Sequence, residues 1–480
     1  MMPQIKSTTF RLAQLGLMTA ILSACSIWPD YKRPAVAVPG QYSQPQVGSV
    51  DANAQVISNW WTLYQDPALN DLVEKSLQNN TDLQLAAARI EEADAVMREA
   101  GAFLFPQVNL DADATRTRVT EAGAFPVFAG NPRNNYIVQL GTSFEIDFWG
   151  KLRRAKESAR AQALATRYAK DTVQLSLASQ VVNNYLILRS LESQIAVSQD
   201  SLKSREDSLA LTKRRLEGGV ASALDVHQAE VATANLRAQL AELNRLRAIT
   251  LHQLAVLTGV LDLDIAKADI NTLPIPPTPP VGLPSRLMEA RPDVRDAEQQ
   301  MIAANANIGV AKAALYPTIS LTAGFGGESL ALKELLTSPA RIWTGGVGLT
   351  LPIFDSGRLN ARVDQASARQ KQAFANYEGS IRNAFKEVND ALVNLRQQSE
   401  REAALKQGEE AARKALQVSE NRYKSGYSAY LDVLDAQRVY NDTAIAFIAS
   451  RQARLTATVE LFKALGGGWQ PDEKSAKLTP

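Results

Sequence analysis

The chain has 480 residues, 45% hydrophobic and 21% charged, with 52 Lys and Arg against 50 Asp and Glu for a formal net charge of +2. That composition excludes a disordered polar chain and leaves room for one large domain or two to three ordinary ones. The charges are scattered without a basic block, so nothing points to nucleic acid as a partner.

Residues 1–24 read as an export signal. Lys6 and Arg11 give a positive start, and LAQLGLMTAIL, residues 12–22, is an apolar stretch too short to remain as a membrane span. Leu22-Ser23-Ala24-Cys25 then resembles a bacterial lipobox, in which the cysteine becomes lipidated and N-terminal after cleavage. Cys25 is the sole cysteine, so no disulfide competes for it; the alternative is an incidental cysteine in a plain signal peptide. Residues 25–66 are taken as a lipidated N-terminal extension. No run of 18 or more apolar residues follows, so any passage through a membrane must be made by a closed β-barrel.

A first repeat is expected over 67–273. It opens with a helix at about 82–103 and continues into a hairpin at about 106–149, where Val108, Leu110, Ala112 and Ala114 alternate with Gln107, Asn109, Asp111 and Asp113. From Gly150 to Gly219 there is no proline and an abundance of Ala, Leu, Gln, Arg and Glu, which predicts one helix of roughly 65 residues and about 100 Å. After the glycine turn a shorter helix is expected over 222–258, its start marked by Ser222 and Asp225 in the manner of a capping box. The linker PIPPTPPVGLP, residues 274–284, forbids a continuous helix or central strand. A second repeat over 285–468 then runs through a helix at 292–314, a hairpin at about 317–354 and helices over about 357–465. There Ser428 is the expected N-cap of the last helix, and residues 469–480 form a tail.

The two halves are duplicates. FEIDFWGKLRRA from Phe144 aligns with LPIFDSGRLNAR from Leu351, and RRLEGGVASALDV from Arg214 with NRYKSGYSAYLDV from Asn421, so that Gly150 meets Gly357 and Gly219 meets Gly426, both 207 residues apart. LFPQVNL and LYPTISL align at an offset of 211, so the hairpins differ only in the length of their tips. A helix of about 37 residues and one of about 22 would together cover one long helix if stacked end to end. Taken alone, long helices of this kind leave an ordinary soluble coiled coil as the alternative.

The strands argue otherwise. One apolar and one polar face is what a water-filled membrane barrel requires, although a half-buried sheet in a soluble protein shows the same alternation. Four strands cannot close alone, since about eight is the smallest barrel, so the barrel must be shared between chains. Dimers would give eight strands, trimers twelve and tetramers sixteen; a conducting pore favours three or more.

With GLPSRLMEARPDVRDAE (282–298), LPIFDSGRLNA (351–361) and YLDVLDAQR (430–438), the chain resembles the TolC-type outer-membrane factors, in particular the lipoprotein branch serving tripartite efflux pumps of the RND class. The resemblance runs from NWWTLYQDPALNDLV (59–73) to LFKALGGGW (461–469). It implies an α+β membrane protein: a homotrimer with a shared twelve-stranded barrel in the outer membrane, continued by a long α-helical barrel through the periplasm. It also implies a periplasmic adaptor and an inner-membrane RND-type transporter as partners, and Ser26 after Cys25 is compatible with sorting to the outer membrane. In such proteins the helix tips close the tube. Carried over by position, Gly219 and Gly426 are the tip turns, Asp432 and Asp435 the gate aspartates, Tyr423 and Lys424 their aromatic and basic partners, and Asp225 the first-repeat counterpart of Asp432. Family members often carry arginine where Lys424 stands, and lysine cannot make a bidentate carboxylate pair.

A plainer reading of the aspartates exists. Asp432 and Asp225 lie in first helical turns, where a carboxylate suits the helix dipole, and Asp435 can pair with Arg438 three residues on. Gln228 stands where a counterpart of Asp435 would be. His227 and His252, 25 residues apart on one expected helix, are badly spaced for a shared metal, and the glycines of AGFGGES (323–329) lead to a hairpin tip rather than to a phosphate-binding helix. No cofactor, metal or catalytic group is expected. The expected role is a passive exit duct for drugs or other small toxic compounds, with a protein-secretion duct or a non-conducting envelope lipoprotein as the alternatives.

Overall fold

A computed structural model describes residues 30–42, 56–123, 130–279, 281 and 286–470. The expected signal, Cys25 and Ser26, and all but the first two residues of the C-terminal tail lie outside them. The chain forms two compact units, one drawn from residues 1–35, 90–166 and 297–377, the other from 36–89, 167–296 and 378–480. Each unit takes chain from both repeats.

In the first unit the strands β1 (Gln107–Thr117), β2 (Arg133–Ile146), β3 (Thr318–Ser329) and β4 (Arg341–Thr350) form one antiparallel sheet in that order. The hairpins of the two repeats therefore join through β2 and β3 instead of folding separately. The register settles the faces. Leu110 opposes Leu140, which opposes Phe325, which opposes Trp343; four residues on, Phe144 opposes Leu321 and Leu321 opposes Val347. These side chains share one face, and all but Phe144 are exposed, Leu110 at 66%, Phe325 at 61%, Trp343 at 79% and Val347 at 74%. The other face carries Asp111, Gln139, Thr322 and Thr344 with several glycines between them. The connection within the first hairpin, residues 118–132, is four residues longer than that within the second, 330–340, which accounts for the two alignment offsets. Trp149 ties the hairpin bases together, its Nε1 donating to the Pro317 carbonyl at 2.7 Å while its ring lies 4.8 Å from that of Tyr316.

The helices follow the repeat. We number them α1 (Pro67–Asn79), α2 (Thr81–Ala102), α3 (Lys151–Glu217), α4 (Ala223–Thr258), α5 (Pro292–Ala313), α6 (Arg358–Lys424) and α7 (Tyr430–Ala464). Helices α3 and α6 both have 67 residues, close to 100 Å each at 1.5 Å per residue. Their starts are fixed by aspartates: Asp147 accepts from the backbone N–H groups of Leu152 and Arg153, and Asp355 from those of Gly357 and Leu359.

Short helices do stack end to end, and the joints are visible in the second unit. Asn80, just before α2, donates from Nδ2 to the Leu257 carbonyl at 3.1 Å in the last turn of α4. Arg291, just before α5, donates from Nη1 to the Ala464 carbonyl at 3.1 Å at the end of α7. These carbonyls would otherwise be orphans of a helix terminus. Both linking residues are buried, and Arg291 is also held by Asp293 at 2.7 Å and Glu387 at 2.6 Å. This is the structural work done by the RPD of the 282–298 signature.

The core of the second unit gathers Trp60, Tyr64, Leu69 and Leu72 around Val181, Tyr185, Leu188, Leu455 and Phe462. Each fully buried side chain of this size contributes about 1.5–3 kcal/mol relative to exposure. Trp60 stacks on Phe462 at 5.3 Å, and the Tyr64 hydroxyl, its pKa pushed up by burial, bonds Thr458 Oγ1 at 2.6 Å. Trp60 and Tyr64, at the end of the expected extension, are thus built into this core.

Candidate functional site

The expected tip residues lie at and beside the turns that join α3 to α4 and α6 to α7. Both turns are built alike. The Val220 N–H reaches back to the Arg215 carbonyl and the Tyr427 N–H to that of Arg422, each at 2.9 Å, while Gly219 and Gly426 take φ of +72° and +83°. This closure needs a left-handed residue, which glycine supplies without a Cβ clash. The residues after the glycines are apolar and stand in solvent, Val220 at 76% exposure and Tyr427 at 78%, with Leu224 and Leu431 exposed nearby in sequence.

The first turns of α4 and α7 differ. Ser222 and Asp225 form the expected capping box, with the Ser222 N–H on Asp225 Oδ2 at 3.1 Å and the Asp225 N–H on Ser222 Oγ at 3.3 Å. Ser428 does not cap α7. The N-cap is Ala429, without a side-chain bond, and Ser428 Oγ is buried with no partner. The 207-residue offset explains this, because Ala429 and not Ser428 is the counterpart of Ser222 and stands three residues before Asp432.

Tyr423 is at the centre of the tip packing. It is buried with Tyr430, Val433 and Ala229, its hydroxyl lies 3.3 Å from Thr212 Oγ1, and its ring is 5.6 Å from that of Tyr430. Above its face, 4.3 Å from the centroid, sits the guanidinium of Arg215, which also donates to the carbonyls of Tyr423 at 3.2 Å and Lys424 at 3.4 Å. Burial, followed by the neighbouring Tyr423, pushes the Tyr430 hydroxyl up to about 12. Gln437, on the same face of α7, bonds Ser204 and Ser208 of α3.

The charged candidates point elsewhere. Asp432 is exposed, and its carboxylate has no hydrogen bond or ion pair among the described residues. Asp435 is exposed and pairs with Arg438 at 2.8 Å, and Lys424 reaches only Glu420, at 3.9 Å. Tyr423 and Lys424 therefore do not meet the aspartates within one chain. Asp435 and Arg438 edge a groove of about 670 Å³ between α4 and α7, with Leu224, Val231 and Leu431 along it and the buried Arg205 at its base. Burial lowers the Arg205 pKa, and its Nη1 donates to the Ala232 carbonyl at 2.7 Å.

His227 pairs with Glu230 at 3.2 Å and His252 is exposed; both are on α4. Among the described residues no group of three or more His, Cys, Asp and Glu could hold a metal ion.

Against known families, residues 72–260 and 283–467 each match the family described as outer membrane efflux protein. The chain belongs to that family. The two matches coincide with the duplicated halves, and this efflux protein shares the TolC-type outer-membrane character of its relatives. It is similar to the probable efflux pump outer membrane protein TtgC of Pseudomonas putida, 35% identical over 98% of this chain and 99% of that one. It is also similar to the cation efflux system protein CusC of Escherichia coli, 33% identical over 94% of this chain and 97% of the other. Among solved structures, the outer-membrane channel OprN superposes with a TM-score of 0.85 at 30% identity, over 93% of this chain and 100% of that chain. The protein is an outer-membrane efflux channel of α+β architecture, with four strands among the described residues of the chain and long helices.

Proposed function

We propose that the protein is the passive exit duct of a tripartite efflux system, working as a homotrimer. Three copies of the sheet close a twelve-stranded barrel in the outer membrane, and the long helices continue it as a tube through the periplasm. A periplasmic adaptor and an inner-membrane RND-type transporter supply cargo and energy; the duct itself carries out no covalent chemistry. The chain is held to the membrane by lipid on Cys25 as well as by its strands.

The observation that carries this reading is the sheet. One face is apolar and exposed, the other polar, and the edge strands β1 and β4 have no outer neighbour among the described residues. Such edges and such a face are costly in water and are satisfied by closure with other copies inside a lipid bilayer. TtgC and CusC, named for an efflux pump and for cation efflux, support small toxic compounds as the cargo class.

At the tips, Asp432 and Asp435 would each appear three times around the axis, a ring of like charges that favours cations in a narrow mouth. Tyr423 holds the two turns of a chain together, Lys424 and Asp225 stand on the rim, and the exposed Val220, Leu224, Tyr427 and Leu431 offer the adaptor an apolar landing. Conductance in planar bilayers tests both levels. Wild type should run as a detergent-stable trimer that conducts and is blocked by multivalent cations, and Asp432→Ala/Asp435→Ala should lose that block. A non-conducting monomer sinks the duct; unchanged block in the variant sinks the aspartate ring alone.

A further inference from the structure

Ahead of the repeats, in the first unit, a short strap of residues 30–35 is fastened at two points. Arg33 sets its guanidinium fork on Glu298 of α5, Nε to Oε1 at 2.6 Å and Nη2 to Oε2 at 2.5 Å, and the Tyr31 hydroxyl donates to Oε1 at 3.4 Å. The Glu298 side chain is 6% exposed against 36% for Arg33. The helix thus offers a buried carboxylate, a state tolerated only when ion-paired and hydrogen-bonded, and the strap brings a bidentate counter-ion.

The second fastening belongs to the other repeat. Arg154, in the first turn of α3, donates from Nη2 to Asp30 Oδ1 at 2.8 Å while its Nη1 holds Glu157 at 2.6 Å. Its side chain is 13% exposed, and its stem lies against Gly309 of α5, where a Cβ would come within 3.1 Å of Arg154 Cγ. Arg154 thus touches α5 with its stem while its guanidinium holds the strap. The signs alternate, acid on base at Asp30 and base on acid at Arg33, so a strap shifted by one fastening would set like charges together.

We propose that Glu298 and Arg154 form a receiving site for the N-terminal strap, a two-point clasp that fixes where lipid on Cys25 enters the bilayer relative to the sheet. This rests on the lipoprotein reading given above. Cys25 and Asp30 are five positions apart, a tether of at most about 18 Å. The clasp is at the start of α3, shortly after β2 ends at Ile146, so the anchor is tied to the end of the sheet from which the long helices leave. Without it, the next seated side chain is Tyr42, stacked on Phe385 at 5.5 Å, and the tether grows to 17 residues or about 60 Å. The local concentration of the anchor at the sheet then falls about sixfold, since it scales roughly with the inverse three-halves power of tether length. Glu298 and Arg154 are positioning residues, acting through the strap on the lipid.

The test uses the full-length exported protein with Arg33→Glu, Glu298→Arg, the exchanged pair, Arg154→Glu and, separately, Cys25→Ser. Three quantities are read: the mass of the N-terminal peptide, the rate of proteolysis within residues 30–42 in native membranes, and the rate of assembly into heat-stable oligomers. The single clasp variants should keep the acyl mass, be cleaved about tenfold faster and assemble about sixfold more slowly, with both rates restored in the exchanged pair. Acylated single variants that are cleaved and assemble at wild-type rates overturn the clasp, as does an exchanged pair as defective as the singles. A wild-type peptide without acyl mass overturns the lipoprotein reading and the anchoring role with it, while the cleavage rates still decide whether Glu298 and Arg154 hold the strap.

Discussion

At the scale of single residues, Arg215 is the one that sequence reading passed over. An arginine in the last turn of a helix is ordinary, since it suits the dipole there, and nothing local announces a partner 208 residues away. The structure puts its guanidinium on the Tyr423 ring and on two carbonyls at the end of α6, so it closes the first repeat's turn onto the second's. Arg215→Ala should weaken tip cohesion by about 2 kcal/mol, summing a cation–π contact and charged hydrogen bonds, and raise basal conductance in planar bilayers. Arg215→Lys keeps the charge but loses the fork and should fall between the two; a basal conductance at the wild-type level in Arg215→Ala would refute the assignment. Asn80 and Arg291 carry a different lesson. They are 211 residues apart, the offset already visible in LFPQVNL and LYPTISL, so their equivalence was legible although their chemistry, an amide against a guanidinium, disguised it. The five charged or aromatic tip candidates were named by resemblance, but which of them are buried was not legible, because burial at the tip depends on the partner repeat.

At the scale of elements, the helices expected from the sequence were legible to within about two residues at their ends, because proline-free runs stop at glycines, whereas α1 was not expected at all. Strands were legible from their alternation, and their pairing into one sheet was not, since nothing in either hairpin says that β2 seeks β3. The start of α7 failed for a reason of spacing: a capping box needs its acid three residues after the cap, and Ser428 stands four before Asp432. The two starts should therefore respond oppositely to the same substitution. Ser222→Ala should cost the first turn of α4 about 1 kcal/mol, whereas Ser428→Ala, which removes a buried hydroxyl without a partner, should be neutral or slightly stabilising for α7. Amide hydrogen exchange in the two first turns checks this, and equal losses would contradict the assigned caps. Tyr430 gives the element a pH dependence. Its pKa is pushed up to about 12 from 10.0, chiefly by burial, so the neutral hydroxyl is favoured in the folded tip. The stability this lends is complete below pH 10 and is lost as pH rises toward 12, a loss that Tyr430→Phe should abolish when unfolding is followed against pH.

At the scale of the whole molecule, the chain is incomplete by design. Four strands were countable in the sequence, but their closure depends on strands of other copies and could only be inferred. The two sheet faces should separate in a simple comparison. Val347→Lys, on the apolar face, should cost about 2–4 kcal/mol near the bilayer midplane and deplete assembled protein from outer-membrane fractions. Thr322→Lys, on the polar face opposite Gly346, should assemble normally and shift ion selectivity toward anions. Equal assembly of the two variants would reverse the facing of the sheet. The helices impose another constraint, on heredity. Because α3 and α6 have the same length of 67 residues, a codon gained or lost in one leaves its twin out of step, and every later contact between the repeats slips by a rotation of about 100° per residue. Length changes in the gene should therefore survive in matched pairs, so the two copies, free to drift in sequence, stay bound to a common ruler.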